Sequence, residues 1–184
     1  MTTTLEKGQI SIHTENIFPI IKKSLYTDHE IFLRELVSNG VDAIAKLKMV
    51  ARTGEYSGDV TNPEIEIKID KDNQSISITD NGIGMTADEI KKYINQVAFS
   101  SAEEFIEKYK GSDNDAIIGH FGLGFYSSFM VAKKVEIDTL SYQDGAEAVH
   151  WSCDGSPEFE ISDSTRTELS LIHISEPTRH NSIA

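Results

Sequence analysis

The run Ile76-Ser77-Ile78-Thr79-Asp80-Asn81-Gly82-Ile83-Gly84-Met85-Thr86-Ala87-Asp88-Glu89 holds a strand, a tight loop and a helix start without a break. Ile76 and Ile78 alternate with polar residues, the period of a half-buried strand. Two glycines directly after the strand mark a place where the backbone comes close to something. Thr86, followed three residues later by Glu89, has the pattern of a capping box and predicts a helix from that point. Asp80 therefore sits at a strand-to-loop edge, where site residues concentrate.

On the N-terminal side, Ile65, Ile67 and Ile69 alternate with charged residues, and Asp72-Asn73-Gln74 turns the chain. Residues 65–80 thus read as a β-hairpin. A helix is predicted from Glu30 to about Val50. At about 100° per residue, Leu33, Leu36, Val37, Val41, Ile44 and Leu47 gather on one side, and Glu35, Asn39 and Asp42 on the other. A solvated face is the plain reading of that second stripe. It has no Lys or Arg at the flanking i+4 positions to pair with Glu35 or Asn39, which weakens that reading. A weak alternation at Gln9–His13 suggests one more strand.

On the C-terminal side, residues 90–110 read as uneven helix. A polar stretch, Gly111–Asp115, leads into Ile117-Ile118-Gly119-His120-Phe121-Gly122-Leu123-Gly124-Phe125-Tyr126-Ser127-Ser128-Phe129-Met130-Val131, a glycine turn opening an apolar helix. Strands are predicted over Val135–Tyr142, Glu147–Cys153 and Phe159–Ile161, with turns at Asp144-Gly145 and Asp154-Gly155. The order helix, hairpin, helices, strands lacks the alternation of a doubly wound sheet. It predicts an α+β fold, a two-layer sandwich with helices on one face of a mostly antiparallel sheet.

The 184 residues amount to one domain, or one domain with a short extension. Hydrophobic residues are 39 % and charged residues 26 %, an ordinary globular composition. Seventeen basic against 30 acidic residues give a net charge of −13. Such a chain is a poor partner for nucleic acid or an anionic membrane. An anionic ligand stays open, because backbone N–H groups bind phosphate without lysine. The single cysteine, Cys153, permits no internal disulfide. No secretory leader and no spanning segment is read, so the expectation is a soluble, cytoplasmic protein. The histidines show no metal-ligand spacing.

The glycine turn is a phosphate-binding candidate, since glycines let backbone close on an anion at a helix N-terminus. Close packing of a helix is the alternative, and the turn is not a P-loop. Asn39 could ligate Mg²⁺ through its amide oxygen. Glu35 could orient or deprotonate an attacking water. The carboxylate of Asp80 only accepts hydrogen bonds, which suits the exocyclic amine of adenine and disfavours guanine.

Three stretches together resemble a known family. Glu35-Leu36-Val37-Ser38-Asn39-Gly40-Val41-Asp42-Ala43, Asp80-Asn81-Gly82-Ile83-Gly84-Met85 and Gly119-His120-Phe121-Gly122-Leu123-Gly124-Phe125-Tyr126-Ser127 match, in order, the motifs of the GHKL ATPases. The third has the form typical of heat-shock protein 90, and Phe32-Leu33-Arg34-Glu35-Leu36 and Trp151-Ser152 also resemble that family. Residues 8–168 are thus similar to the N-terminal ATP-binding domain of a bacterial heat-shock protein 90. The resemblance implies a Bergerat-type sandwich that binds ATP and ADP with Mg²⁺. It implies Glu35 as the catalytic carboxylate and Asn39 as metal ligand beside the phosphates. Asp80 would read adenine, supported by Asp42, Ala43 and Gly84, with Met85 packed on the base, and Asn95 would also bind the nucleotide. Gly119, Phe121, Gly122, Gly124 and Phe125 would wrap the phosphates, and residues 98–119 would form a lid. In the family the full-length proteins are dimeric chaperones acting on client proteins; this fragment is expected to be monomeric and weak or inactive alone.

The chain departs from the family in two places. Phe99 stands where a lysine is common. After Arg166-Thr167 the family has an Arg-Gly-Thr motif and a closing strand, whereas this chain reads Glu168-Leu169-Ser170-Leu171-Ile172-His173-Ile174-Ser175. The tail resembles translated adapter or read-through sequence. The expectation is a domain over 1–168 and a non-native tail over 169–184, with Leu169, Leu171, Ile172 and Ile174 still able to pair as an imperfect strand. Two alternatives accompany the ATPase reading: a nucleotide-binding fragment without turnover, and another GHKL enzyme.

Overall fold

In the computed structural model the described residues are 31–96, 101–109, 124–167 and, as backbone, 171–177. The predicted strand at 9–13 and the glycines at 119 and 122 lie outside them. The long helix forms as α1 (Ile31–Arg52), burying Leu36, Leu47, Met49 and Val50. Gly40 lies mid-helix because a Cβ there would sit 3.1 Å from Ile65 Cδ1 and 3.4 Å from Asp80 Cβ. The hairpin follows as β1 (Ile65–Asp70) and β2 (Ser75–Asp80). Its turn is held by Asp70 Oδ1, which accepts from the N–H groups of Asp72 and Asn73, both at 3.0 Å.

The uneven helical region resolves into α2 (Ala87–Tyr93) and α3 (Ser101–Lys108). The capping box of α2 forms as predicted. Thr86 Oγ1 accepts from Glu89 N–H at 3.3 Å, and Glu89 Oε2 accepts from Thr86 N–H at 2.8 Å. Replacing the cap, Thr86→Ala, is expected to cost about 1 kcal/mol, read as a lower denaturant midpoint with an unchanged slope.

The glycine turn does not open an α-helix. Residues Gly124–Met130 form a 3₁₀ helix, whose tighter winding presents side chains all round. All six from Phe125 to Met130 are buried, so the segment is a core plug. Four strands follow among the described residues: β3 (Ala132–Thr139), β4 (Val149–Cys153), β5 (Glu160–Asp163) and β6 (Leu171–Pro177).

Among the described residues these strands make one six-stranded sheet of order β1-β2-β6-β3-β4-β5, with every neighbouring pair antiparallel. The meander β3-β4-β5 was legible in the sequence; the central position of β6 was not. One register row, Ile67-Ile78-Ile172-Ile137-Trp151-Ile161, crosses all six strands with apolar residues. The next row, Glu66-Thr79-Leu171-Asp138-His150-Ser162, is mostly polar. Because side chains alternate along each strand, the sheet has one apolar and one polar face. Leu36, Ile90, Phe125 and Phe129 join Ile78, Val135, Ile137 and Trp151 in one buried cluster. Helices therefore cover the apolar face, and the fold is the α+β two-layer sandwich expected. Phe125 centres the aromatic part of this core, edge-on to Trp151 at 5.6 Å and to Phe129 at 6.1 Å.

Candidate functional site

Asp80 ends β2 with its side chain turned to the helix layer and is 6 % exposed. Its Oδ1 accepts from Gly82 N–H at 2.9 Å, so the carboxylate shapes the loop that follows it. The loop is pressed against α1. Ile83 N–H donates to Ala43 O at 3.0 Å, and a Cβ on Gly82 would lie 2.5 Å from the Ala43 carbonyl carbon. On its other side the loop meets the end of β3 and the residues after it. Tyr142 N–H donates to Ile83 O at 3.0 Å, and Met85 N–H donates to Thr139 Oγ1 at 3.0 Å. Gly84 has φ +64°, and a Cβ there would sit 1.9 Å from Leu140 O. Both glycines are thus required by close approach, one to a helix and one to a strand end, and Gly84 also by its left-handed backbone.

A cavity of about 320 Å³ opens beside this loop. Ala43, Asp80, Gly84 and Met85 line it, which joins four of the residues named from sequence. Asp42 is buried one residue before Ala43. The rest of the wall was not foreseen. Lys46, Glu89, Tyr93, Phe105, Tyr109 and Tyr142 also face the space. Lys46 stands one helical turn after Asp42, a spacing that would have disclosed it. Burial pulls its pKa down, while Asp42 and Glu89 act to raise it. Its ammonium lies 5.6 Å from the Phe105 ring centre. The aromatic wall had no sequence signal, because its rings come from α2, α3 and the segment after β3.

α3 lies inside the segment named as a lid and is tied at both ends. Glu104 Oε2 pairs with Lys92 Nζ at 2.6 Å and accepts from Tyr93 O–H at 2.9 Å. Glu55 Oε2 pairs with Lys108 Nζ at 2.8 Å, and Glu55 Oε1 accepts from Tyr109 O–H at 2.8 Å. Those two bonds hold the Glu55 carboxyl below its ordinary pKa.

The other motif residues lie toward the start of α1. A Cβ on Gly124 would come 2.7 Å from Glu35 Oε2, so the first motif and the end of the third meet there. Glu35 also pairs with Arg34 at 3.5 Å. Asn39 is half-buried one turn further along α1. Glu35, Asn39 and Gly124 are not part of the cavity wall. Phe125 presents no side chain to a ligand, since its ring is buried in the core. Asn95 is not on the cavity wall either; its Oδ1 accepts from Trp151 Nε1–H at 2.9 Å, and its Nδ2 is buried without a hydrogen-bond partner among the described residues. Gly119, Phe121 and Gly122 lie outside the described residues.

Among the described residues no group of three or more His, Cys, Asp or Glu side chains could hold a metal ion. The amide of Asn39 on α1 fits Mg²⁺ brought in on phosphate oxygens, because that cation keeps most of its other ligands as water and phosphate. No described helix is long and apolar enough to cross a membrane.

Comparison with known proteins agrees with these features. Residues 26–181 match the family model described as histidine kinase-, DNA gyrase B-, and HSP90-like ATPase. The chain is 64 % identical over 157 residues to the chaperone protein HtpG of Bacteroides thetaiotaomicron, covering 85 % of this chain and 23 % of that protein. It is 52 % identical over 174 residues to HtpG of Porphyromonas gingivalis, covering 93 % and 25 %. With the mitochondrial TNF receptor-associated protein 1 homolog of Dictyostelium discoideum it shares 38 % over 175 residues, covering 92 % and 25 %. The chain spans about a quarter of the length of these curated relatives. With its motifs gathered on α1 and the β2–α2 loop, the chain belongs to the histidine kinase-, DNA gyrase B-, and HSP90-like ATPase family.

Proposed function

We propose that this chain is the ATP-binding, weakly hydrolysing N-terminal region of a cytoplasmic molecular chaperone. The observation that carries the reading is Asp80, a buried carboxylate at the wall of an open cavity, with Gly84 and Met85 of its own loop beside it. Asp80 accepts from the exocyclic amine of adenine, Ala43, Asp42 and Gly84 support that edge, and Met85 packs on the base. α1 then leads from the base toward Asn39 and Glu35. Asn39 would hold Mg²⁺ and approach the phosphates, with Gly119, Phe121, Gly122, Gly124 and the Phe125 backbone around them; Asn95 would contribute through its position after α2. Bound Mg²⁺ would neutralise phosphate charge. Glu35 orients the attacking water and takes its proton as the bond to the γ-phosphate breaks, giving ADP and phosphate. In the longer protein, client proteins and a second copy are the partners. Residues 1–168 form the native domain, and 169–184 stand in for its closing strand.

Calorimetric titration with ATP and Mg²⁺, ADP and GTP tests the reading. Saturable binding of the adenine nucleotides with little affinity for GTP supports it; no binding by a chain with a native circular dichroism spectrum overturns it. Glu35→Gln is expected to bind ADP within about threefold of wild type and to release phosphate at least about 100-fold more slowly. A second reading, binding without turnover, is favoured by Glu168-Leu169-Ser170, which lacks the Gly-Thr of the family. It predicts no phosphate release from wild type above that of Glu35→Gln.

A further inference from the structure

We propose that Thr139 is a positioning residue of the adenine subsite, holding the far end of the Asp80–Met85 loop through its hydroxyl. The proposal rests on the adenine reading above. Val135, Ile137 and Thr139 are the inward positions of β3 and each is 0 % exposed. The first two are apolar, as a core face requires. A hydroxyl at the third costs free energy unless it is hydrogen-bonded. Thr139 Oγ1 accepts from Met85 N–H at 3.0 Å, so the polar atom answers to the loop rather than to the core.

Register gives the reason for the arrangement. Thr79 and Asp138 both pair with Leu171. β2 and β3 run the same way on either side of β6, so Asp80 and Thr139 occupy the next row, on the opposite face from that pair. The loop starts at Asp80, whose carboxylate receives Gly82 N–H, and ends at Met85, whose N–H goes to Thr139. One sheet row thus fastens both ends of the loop. Gly84, between them, is set against Leu140 O, the residue directly after Thr139. A loop released at Met85 lets Gly84 and Met85 move relative to Asp80, while Glu35 and Asn39 on α1 are untouched.

Thr139→Val keeps shape and removes the acceptor; Thr139→Ser keeps the acceptor. Both are compared with wild type in the full chain by titration with ADP, by titration with inorganic triphosphate, and by amide hydrogen exchange at Met85. For Thr139→Val the ADP dissociation constant is expected to rise about tenfold, with triphosphate affinity unchanged and Met85 exchange at least about tenfold faster. Thr139→Ser restores both values. ADP affinity of Thr139→Val within twofold of wild type, or a Ser variant as weak as the Val variant, overturns the proposal. If wild type itself binds no ADP, the adenine reading fails, and the exchange arm decides alone: faster Met85 exchange in Val restored in Ser upholds the hold on the loop, and unchanged exchange overturns it. If Thr139→Val loses its native circular dichroism spectrum, Thr139→Ser decides, upheld by wild-type ADP affinity and Met85 protection and overturned by a tenfold loss of either.

Discussion

Asp80→Asn is expected to leave the domain folded and to weaken ADP binding by at least about 100-fold, or about 2.7 kcal/mol. Two features separate the effects. The loop bond survives, because an amide oxygen can still accept from Gly82 N–H, now 2.9 Å from Asp80 Oδ1. Volume at the buried site is unchanged. What disappears is a charged acceptor facing an amine, and charge-assisted hydrogen bonds are roughly twice as strong as neutral ones. The amide NH₂ also sets a donor against a donor when it faces the base. GDP affinity, where a carbonyl oxygen replaces the amine, is expected not to fall. Calorimetry on both nucleotides, with a thermal melt as the folding control, checks the result. An Asn variant that binds ADP like wild type places the base elsewhere.

The second large effect is on stability. Gly84→Ala is expected to lower stability by about 3 kcal/mol, a fall in Tm of roughly 6 to 12 °C for a chain of this size. Two costs add. An L side chain at φ +64° is strained, which amounts to about 1 kcal/mol. The new Cβ would also lie 1.9 Å from Leu140 O, a backbone atom that moves only if the end of β3 moves. Gly54 isolates the first cost. It has φ +80° and nothing within 4 Å of the Cβ position, so Gly54→Ala is expected to cost about 1 kcal/mol and no more. Equal melting points for the two variants would remove the Leu140 contact from the account.

The loop and its surroundings were legible in the sequence because their signals are local. Alternating isoleucines, two glycines and a Thr-x-x-Glu box lie within one run, and each has a mechanism that acts over a few residues. The same holds for α1, whose stripe of Glu35, Asn39 and Asp42 needs only the helical period. What failed to show depends on partners far apart in the chain. The rings of Tyr93, Phe105 and Tyr142 meet at one cavity only after folding. Asn95 reads as a polar residue after a helix, and nothing near it in sequence announces that the Trp151 indole bonds its oxygen. Phe125 sits in a motif, yet its ring serves the core while at most its backbone faces a ligand. Thr139 reads as one more β-branched strand residue, and its hydroxyl acquires a use only when Met85 arrives beside it. The 3₁₀ form of Gly124–Met130 was hidden for a related reason: residues buried at every position from Phe125 to Met130, Ser127 and Ser128 included, follow no single period, and burial on all sides decides the winding.

The place of β6 has a consequence for how the domain comes into being. Both neighbours of this strand, β2 and β3, precede it in the chain, and it bridges them at the centre of the sheet. Until residues 171–177 have left the ribosome, the β1–β2 hairpin and the β3–β4–β5 meander have no strand to join them. Each waits with an open inner edge and an apolar face. Pairings such as Ser75 with Ser175 span more than half of the chain, the kind of distant contact that slows folding and prolongs exposure of unpaired strands. A copy in which residues 171–177 have not yet emerged therefore exposes two open strand edges that pairing with β6 later covers.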